Sequence, residues 1–296
     1  MKIATSAYPV DWHASWADYE EKLELWVAMA AQQGAELLVF PEYAGMEASL
    51  IGEPHDAAQP DGWALSAVAA MADGINVHAR LAADYGVHIL AGSGPTRDFD
   101  SGKIVNRATF LSPDGRRGFQ DKQILTPWER RETPLSPGRG LSAFDTDLGR
   151  ISILICYDSE FPLLARALPC DVLLIPSCTD GPAGYTRVRV AGRARALEGQ
   201  CVAVQSATVG ATPLCPYLDE NSGAGGIFGP PDSGFGTSGI LADGRLDQPG
   251  WTYAEIEVDE LPDYRGAAQV SVSEHWDEQL DCIQNINHRP LAVMKS

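Results

Sequence analysis

Short apolar runs recur along the chain, and most are followed by an amphipathic stretch or a tight turn. Lys2–Tyr8 predicts a first strand. Leu23, Trp26, Val27 and Ala30 then fall at i, i+3, i+4 and i+7, with Ser15 placed to cap the helix. That helix runs to about Gln33, and Gly34 is its stop. Glu36–Phe40 predicts a buried strand ending at Pro41-Glu42. Gly62–Tyr85 predicts helix broken at Asp73-Gly74, and Val87–Ser93 the next strand. Lys103–Leu111 and Arg116–Lys122 flank the turn Ser112-Pro113-Asp114-Gly115 and predict a hairpin.

Gln123–Gly140 lacks periodicity and is expected to be irregular. Leu141–Asp145 and Arg150–Cys156 predict paired strands around Asp147-Leu148-Gly149. Asp158, Ser159 and Glu160 offer cap and first-turn chemistry for a helix through about Leu168. Val172–Pro176, Cys201–Val209 and Thr252–Val258 predict further strands, and Thr186–Gly199 a helix. Leu214–Gly239, rich in Gly and Pro, predicts loop with short strands. Strands and helices alternate, but several strand pairs are hairpins. This implies an α/β fold with a mixed sheet, or two sheets with helices outside. No linker divides residues 1–296, so a single domain is expected, with a tail from about residue 260.

The chain has 296 residues, of which 45% are hydrophobic, enough for a full core. A net charge of −18 argues against nucleic acid and anionic lipid as partners. No run is long enough to span a membrane, and MKIATSAYPV resembles a strand and not a secretory leader, so a cytoplasmic, reduced protein is expected. The cysteines Cys156, Cys170, Cys178, Cys201, Cys215 and Cys282 form no CxxC pair. No His cluster stands at ligand spacing either, so neither metal nor cofactor is expected.

Three polar residues end apolar strands: Glu42, Lys122 and Cys156. In α/β sheets the crevice at the carboxyl ends of strands is where chemistry is placed. A cysteine at a strand-to-helix turn can attack a carbonyl or nitrile carbon, and free backbone N–H groups beside it can hold the oxyanion. A free thiol has a pKa of about 8.5, so a base must take its proton, and Glu42 is the candidate. Lys122 would stabilise the oxyanion together with the backbone N–H of Tyr157. The alternative for Cys156 taken alone is a buried structural cysteine.

VFPEY, DKQILTPWERRE and ILICYDSEFP together resemble the three signature blocks of the nitrilase superfamily of carbon–nitrogen hydrolases, over about residues 1–260. The resemblance implies a four-layer α-β-β-α sandwich, a Glu42-Lys122-Cys156 triad and a thioester intermediate. A further glutamate, Glu129, would orient Lys122 or substrate. It also implies a homodimer or higher homo-oligomer through the helices at about Glu160–Leu168 and Thr186–Gly199; the tail from about residue 260, with Trp276 and few strand signals, is a candidate to cross to a partner subunit. The implied substrate is a small molecule, an amide or N-carbamoyl compound more than a nitrile. Ser177, Cys178 and Thr179 follow the Val172–Pro176 strand and should line the crevice. Arg187 is the candidate to meet a substrate carboxylate, against an ion pair at an interface. Tyr43, Trp128 and Tyr157, with Phe161, are candidate pocket walls. Three rivals stay open. One is a Cys-His hydrolase using His13, His55, His78, His88, His275 or His288. The others are a catalytically silent binding protein and an acyltransferase.

Overall fold

The computed structural model describes residues 1–52, 60–232 and 234–284. It opens with β1 (Lys2–Pro9), α1 (Trp16–Gln32) and β2 (Leu37–Val39), then a 3-10 turn over Ala44–Ser49 and α2 (Pro60–Tyr85). β3 (His88–Arg97), β4 (Ile104–Leu111) and β5 (Arg117–Asp121) form an antiparallel meander followed by α3 (Pro127–Glu132). The second part contains β6 (Ala143–Thr146), β7 (Gly149–Ile153), a 3-10 turn over Cys156–Glu160 and α4 (Pro162–Arg166). After these come β8 (Val172–Ser177), α5 (Pro182–Gly199) and β9 (Val202–Val209). β10 (Gly226–Phe228), β11 (Ile240–Asp243) and β12 (Gly250–Glu255) follow, and α6 (Leu261–Ala267), α7 (Val272–His275) and α8 (Glu278–Ile283) end the described chain.

The strands run in the order β5-β4-β3-β2-β1-β9-β8-β7-β6, with β12 beside β1 and β10–β11 beside β9. β1 joins two wings. Ile3–Thr5 pair in parallel with β2, and Ala7–Pro9 pair in parallel with β9. Side-chain alternation along β2 assigns the layers. Leu38 and Phe40 pack with Tyr19, Leu23 and Val27 of α1. Leu37 and Val39 pack with Ile153, Leu174 and Val204 of the other wing. α5 covers that wing at Gly192, where even a Cβ would touch Ile175 and Phe228. The order is helix, sheet, sheet, helix, the four-layer sandwich.

Four local expectations are corrected. α2 runs unbroken through Asp73-Gly74, because Gly74 serves packing: a Cβ there would lie 3.0 Å from both Ala48 and Tyr19. Gln123–Gly140 is not wholly irregular. Thr126 and Glu129 form a reciprocal capping box around Pro127, and this starts α3. The helix expected from Asp158 to Leu168 is split. Phe161 precedes a proline, which disfavours helical backbone there, and it adopts φ −104 and ψ 101. α5 begins at Pro182, earlier than Thr186, with the proline at its first turn.

The expected C-terminal tail starts on this same chain. Arg265 pairs with Asp171 at 2.9 Å and donates to the carbonyls of Cys170 and Gln200. Trp276 lies over the Arg166 guanidinium. Residues 285–296 of that tail lie outside the described residues, as do His55 and His288. Among the described residues no helix is long and apolar enough to cross a membrane.

Candidate active site

β2, β5 and β7 all deliver their C-terminal ends to one region. Lys122 follows β5 directly, held by its N–H on the Asn106 carbonyl at 2.8 Å and by its carbonyl on the Gly138 N–H at 2.7 Å. Its ammonium donates to Glu42 Oε1 at 2.7 Å and to Glu129 Oε1 at 2.8 Å. Glu42, Lys122 and Glu129 are at most 2% exposed, and Cys156 is 4% exposed. The thiol of Cys156 donates to the Cys178 carbonyl at 3.6 Å, and Glu42 accepts from the Cys178 N–H, so the sulfur and this carboxylate feel each other's charge. The structure therefore brings together the four residues singled out for chemistry.

Each is held by local geometry. Cys156 has φ 48, a left-handed conformation that costs a non-glycine residue on the order of 1 kcal/mol or more. The turn that imposes it is closed by the Ser159 hydroxyl on the Cys156 carbonyl at 2.6 Å. Tyr157 follows at the start of the 3-10 turn, where its N–H has no acceptor within the turn. Glu42 accepts three bonds on its carboxylate: from Lys122, from Asn106 Nδ2 at 3.0 Å, and from the Cys178 N–H at 3.0 Å on Oε2. Its own carbonyl accepts from the Thr208 hydroxyl at 2.7 Å. Glu129 accepts from the Tyr43 hydroxyl at 2.5 Å and from the Thr126 N–H at 2.7 Å.

The two carboxylates share one ammonium, and their protonation diverges. Burial pushes Glu42 up to about 7; Lys122 opposes this and the charge of Glu129 adds to it. Burial also works against ionised Glu129, but Lys122 and the hydrogen bonds it accepts hold it below the usual carboxylate range. For Lys122 the loss of hydration is outweighed by Glu129 and Glu42, so its pKa is raised and it stays an ammonium. Burial, then the charge of Glu42, pushes the Cys156 thiol up, so the resting sulfur is protonated. Acidities driven apart in this way suit Glu42 to accept a proton and Glu129 to stay an anion.

The remaining candidates divide. Tyr43 is buried, edge-on to Tyr217 with centroids 5.2 Å apart, and Trp128 meets the other side of Tyr217 at 5.2 Å. Tyr157 packs on Phe161. Cys178 meets the site through its backbone, while its thiol points to Asn221 Oδ1 at 2.9 Å. The hydroxyls of Ser177 and Thr179 donate to the carbonyls of Ser206 and Ser222. Arg187 is exposed, and its Nε pairs with Glu160 of the same chain at 3.2 Å. Sequence reasoning passed over Asn106, Thr208, Asp158 and Tyr217. A polar Asn106 inside the apolar strand Ile104–Leu111 was the available signal. His13, His78 and His88 bond Glu47, Gly74 and Asp147 respectively, and His275 is exposed.

The chain is similar to known proteins over most of its length. The carbon-nitrogen hydrolase family model matches residues 2–229. A probable hydrolase, YhcX, of Bacillus subtilis is 33% identical over 246 residues, covering 82% of this chain and 47% of its own length. The omega-amidase NIT2-B of Xenopus laevis is 29% identical, covering 58% of this chain and 62% of its own length. The chain thus spans about half to two-thirds of these relatives. A deaminated glutathione amidase of Synechocystis is 27% identical and covers 83% of this chain and 88% of itself. In fold, the chain resembles Nit3 of Saccharomyces cerevisiae, with a TM-score of 0.68 at 21% identity, covering 92% of this chain and 95% of that one. An amidase from Nesterenkonia sp. gives the same TM-score and identity, covering 93% and 96%. Matched along most of its length, the chain belongs to the carbon-nitrogen hydrolase family.

Proposed function

We propose that this chain hydrolyses the C–N bond of a small amide through a thioester on Cys156. The observation that carries this reading is one buried ammonium bound between two carboxylates, with a thiol beside the less acidic of the two. As Sγ bonds the carbonyl carbon, Glu42 takes the thiol proton. The oxyanion that forms is met by the Lys122 ammonium and the Tyr157 N–H; one such donor is worth about 3 kcal/mol. Glu42 then returns the proton to nitrogen, the C–N bond breaks, and ammonia or an amine leaves. Water attacks the thioester while Glu42 accepts its proton. The second oxyanion collapses, the C–S bond breaks, and the proton returns to Sγ, leaving a carboxylic acid. Glu129 keeps Lys122 charged and aimed.

The amidase names of the Xenopus and Synechocystis relatives support an amide over a nitrile. An N-carbamoyl compound would follow the same steps. A homodimer through α4 and α5 is supported by Leu163, Val190 and Leu197, which are exposed on those helices. The test is intact mass spectrometry of acid-quenched wild type and Glu42→Gln during incubation with a panel of small amides. The expected result is an acyl-sized mass increase that maps to Cys156 and is absent in Cys156→Ala, with ammonia released by wild type. No adduct and no ammonia across the panel would remove the reading.

A further inference from the structure

Asp158 looks like a helix cap in the sequence, but its carboxylate leaves its own turn. It is fully buried, and it accepts from the backbone N–H of Gln123 at 3.0 Å and of Ile124 at 2.8 Å. These are the two residues directly after Lys122. Asp158 is itself the second residue after Cys156, and its N–H closes the turn on the Ile155 carbonyl at 3.0 Å. One side chain thus ties the segment carrying the ammonium to the segment carrying the sulfur. The opposite side of the turn is also held: Arg195 Nη1 donates to the Ser159 carbonyl at 3.1 Å, and the Ser159 hydroxyl to the Cys156 carbonyl.

We propose that Asp158 is a positioning residue, a clamp that fixes the Cys156 turn against the Lys122 segment. Its role is to aim the Lys122 ammonium and the Tyr157 N–H at the same oxygen. This inference rests on the function proposed above. The need is physical. Lys122 and the Tyr157 N–H belong to different strand ends, and no covalent link sets their separation. Cys156 also sits in a left-handed conformation that relaxes unless the turn is held. Misplacing a donor by about 1 Å costs on the order of 100-fold in rate. The clamp acts through two main-chain N–H groups, so it constrains the backbone on both sides and touches no substrate.

The test uses the full chain, with Asp158→Asn and, should that variant not fold, Asp158→Glu. Amide hydrogen exchange at Gln123 and Ile124 and steady-state turnover are read together. In wild type both amides are expected to be strongly protected. In the variant their exchange should accelerate, kcat should fall about 10–100-fold, and KM should stay within about threefold. Fast exchange at both amides in wild type would overturn the clamp. So would a folded variant with faster exchange and unchanged kcat, or one whose loss lies wholly in KM. Failure of the proposed function itself would look different: wild type inactive on all amides, with both amides still protected.

Discussion

Glu42 and Glu47 stand five residues apart on the same connection after β2, both sealed from solvent and both touching a lysine. Their acidities nevertheless move in opposite directions. Glu42 is pushed up to about 7 by burial, whereas Glu47 is lowered although burial acts on it too. The difference lies in their partners. Glu47 has Lys22 at 2.5 Å, His13 at 3.0 Å and the Asp11 N–H at 2.9 Å on one oxygen, and the Tyr8 hydroxyl on the other. Lys22 is shared here too, with Asp11 at 2.6 Å, but Asp11 is half exposed, and His13 and Tyr8 add hydrogen bonds that Glu42 lacks. Glu42 shares Lys122 with Glu129, a carboxylate as buried as itself. Burial penalises a charge in both places; at Glu47 the hydrogen bonds from His13, Lys22 and Tyr8 outweigh it, whereas at Glu42 the buried charge of Glu129 adds to it. Glu47 therefore reads as an anchor for β1, α1 and the Ala44–Ser49 turn, and Glu42 as the working group.

The largest expected effect separates the two directly. Glu42→Gln should lower kcat/KM about 10⁴-fold, the upper end for loss of a general base, and Cys156→Ala should remove turnover altogether. The folded state of Glu42→Gln should be at least as stable as wild type. The amide oxygen can still accept from Lys122, and Lys122 keeps Glu129. Activity assays beside urea denaturation check both halves. A variant that loses stability and activity together would make Glu42 an anchor as well.

Glu47→Gln should behave in reverse. Removing one partner of a buried ion pair costs about 3–5 kcal/mol, because the remaining charge is left without compensation. Lys22 would then keep Asp11, which is exposed, with the Pro9 carbonyl, the Tyr8 ring and a neutral amide oxygen in place of the buried anion. The unfolding free energy from urea denaturation should fall by that amount, with turnover per folded molecule within a few-fold of wild type. A loss of kcat as large as that of Glu42→Gln, in folded protein, would collapse the distinction between the two glutamates.

Glu129→Gln tests the sharing itself. Without the second anion, Lys122 is less strongly charged and less tightly aimed, and Glu42 gains sole use of it. Turnover should fall about 100-fold, and the acid limb of the kcat/KM profile should shift to lower pH, since the charge that helps raise Glu42 is gone. A pH–rate profile of the variant decides this; an unmoved limb would mean that Glu129 does not set the acidity of Glu42.

These two centres were not equally legible in the sequence. Glu42, Lys122 and Cys156 end apolar runs, and strand ends converge in such a fold, so their meeting followed from the strand pattern. The Glu47 cluster left no such trace, because Tyr8, His13 and Lys22 arrive from β1, a loop and α1 through tertiary packing alone. Asn106 escaped for the same reason: which face of β4 it shows depends on a register that no local signal sets. The Cys178 N–H could not be found from residue types, since a backbone donor carries no side-chain signature. Asp158 was read with the right chemistry, a carboxylate accepting from N–H groups, but with the wrong N–H groups. Asp-Ser-Glu before a helix and Asp clamping a distant loop are the same letters. The Thr126-Pro-Trp-Glu129 capping box was legible and passed over among the charges that follow it.

The smallest expected effect is the pH dependence of stability, and here the two glutamates should carry opposite signs. Glu42 has a folded pKa of about 7 against an ordinary value of 4.5. Its protonated form favours the fold, so that contribution is fully present below about 4.5 and is lost as pH rises through about 7. Glu47 is displaced downward, so its contribution is present above 4.5 and is lost as pH falls through its lowered folded value. Comparing wild type with Glu42→Gln, the variant's relative stability should rise by about 1–3 kcal/mol between pH 5 and pH 8. Comparing wild type with Glu47→Gln, the gap should narrow only on the acid side of pH 4.5. Over the interval in which Glu42 costs the fold most, it becomes ionised, and kcat/KM should climb through the same pH range. Thermal denaturation and turnover measured on one pH series would test this link. A rate that rises with pH while the Glu42→Gln stability difference stays flat would mean that the titrating base is some other group.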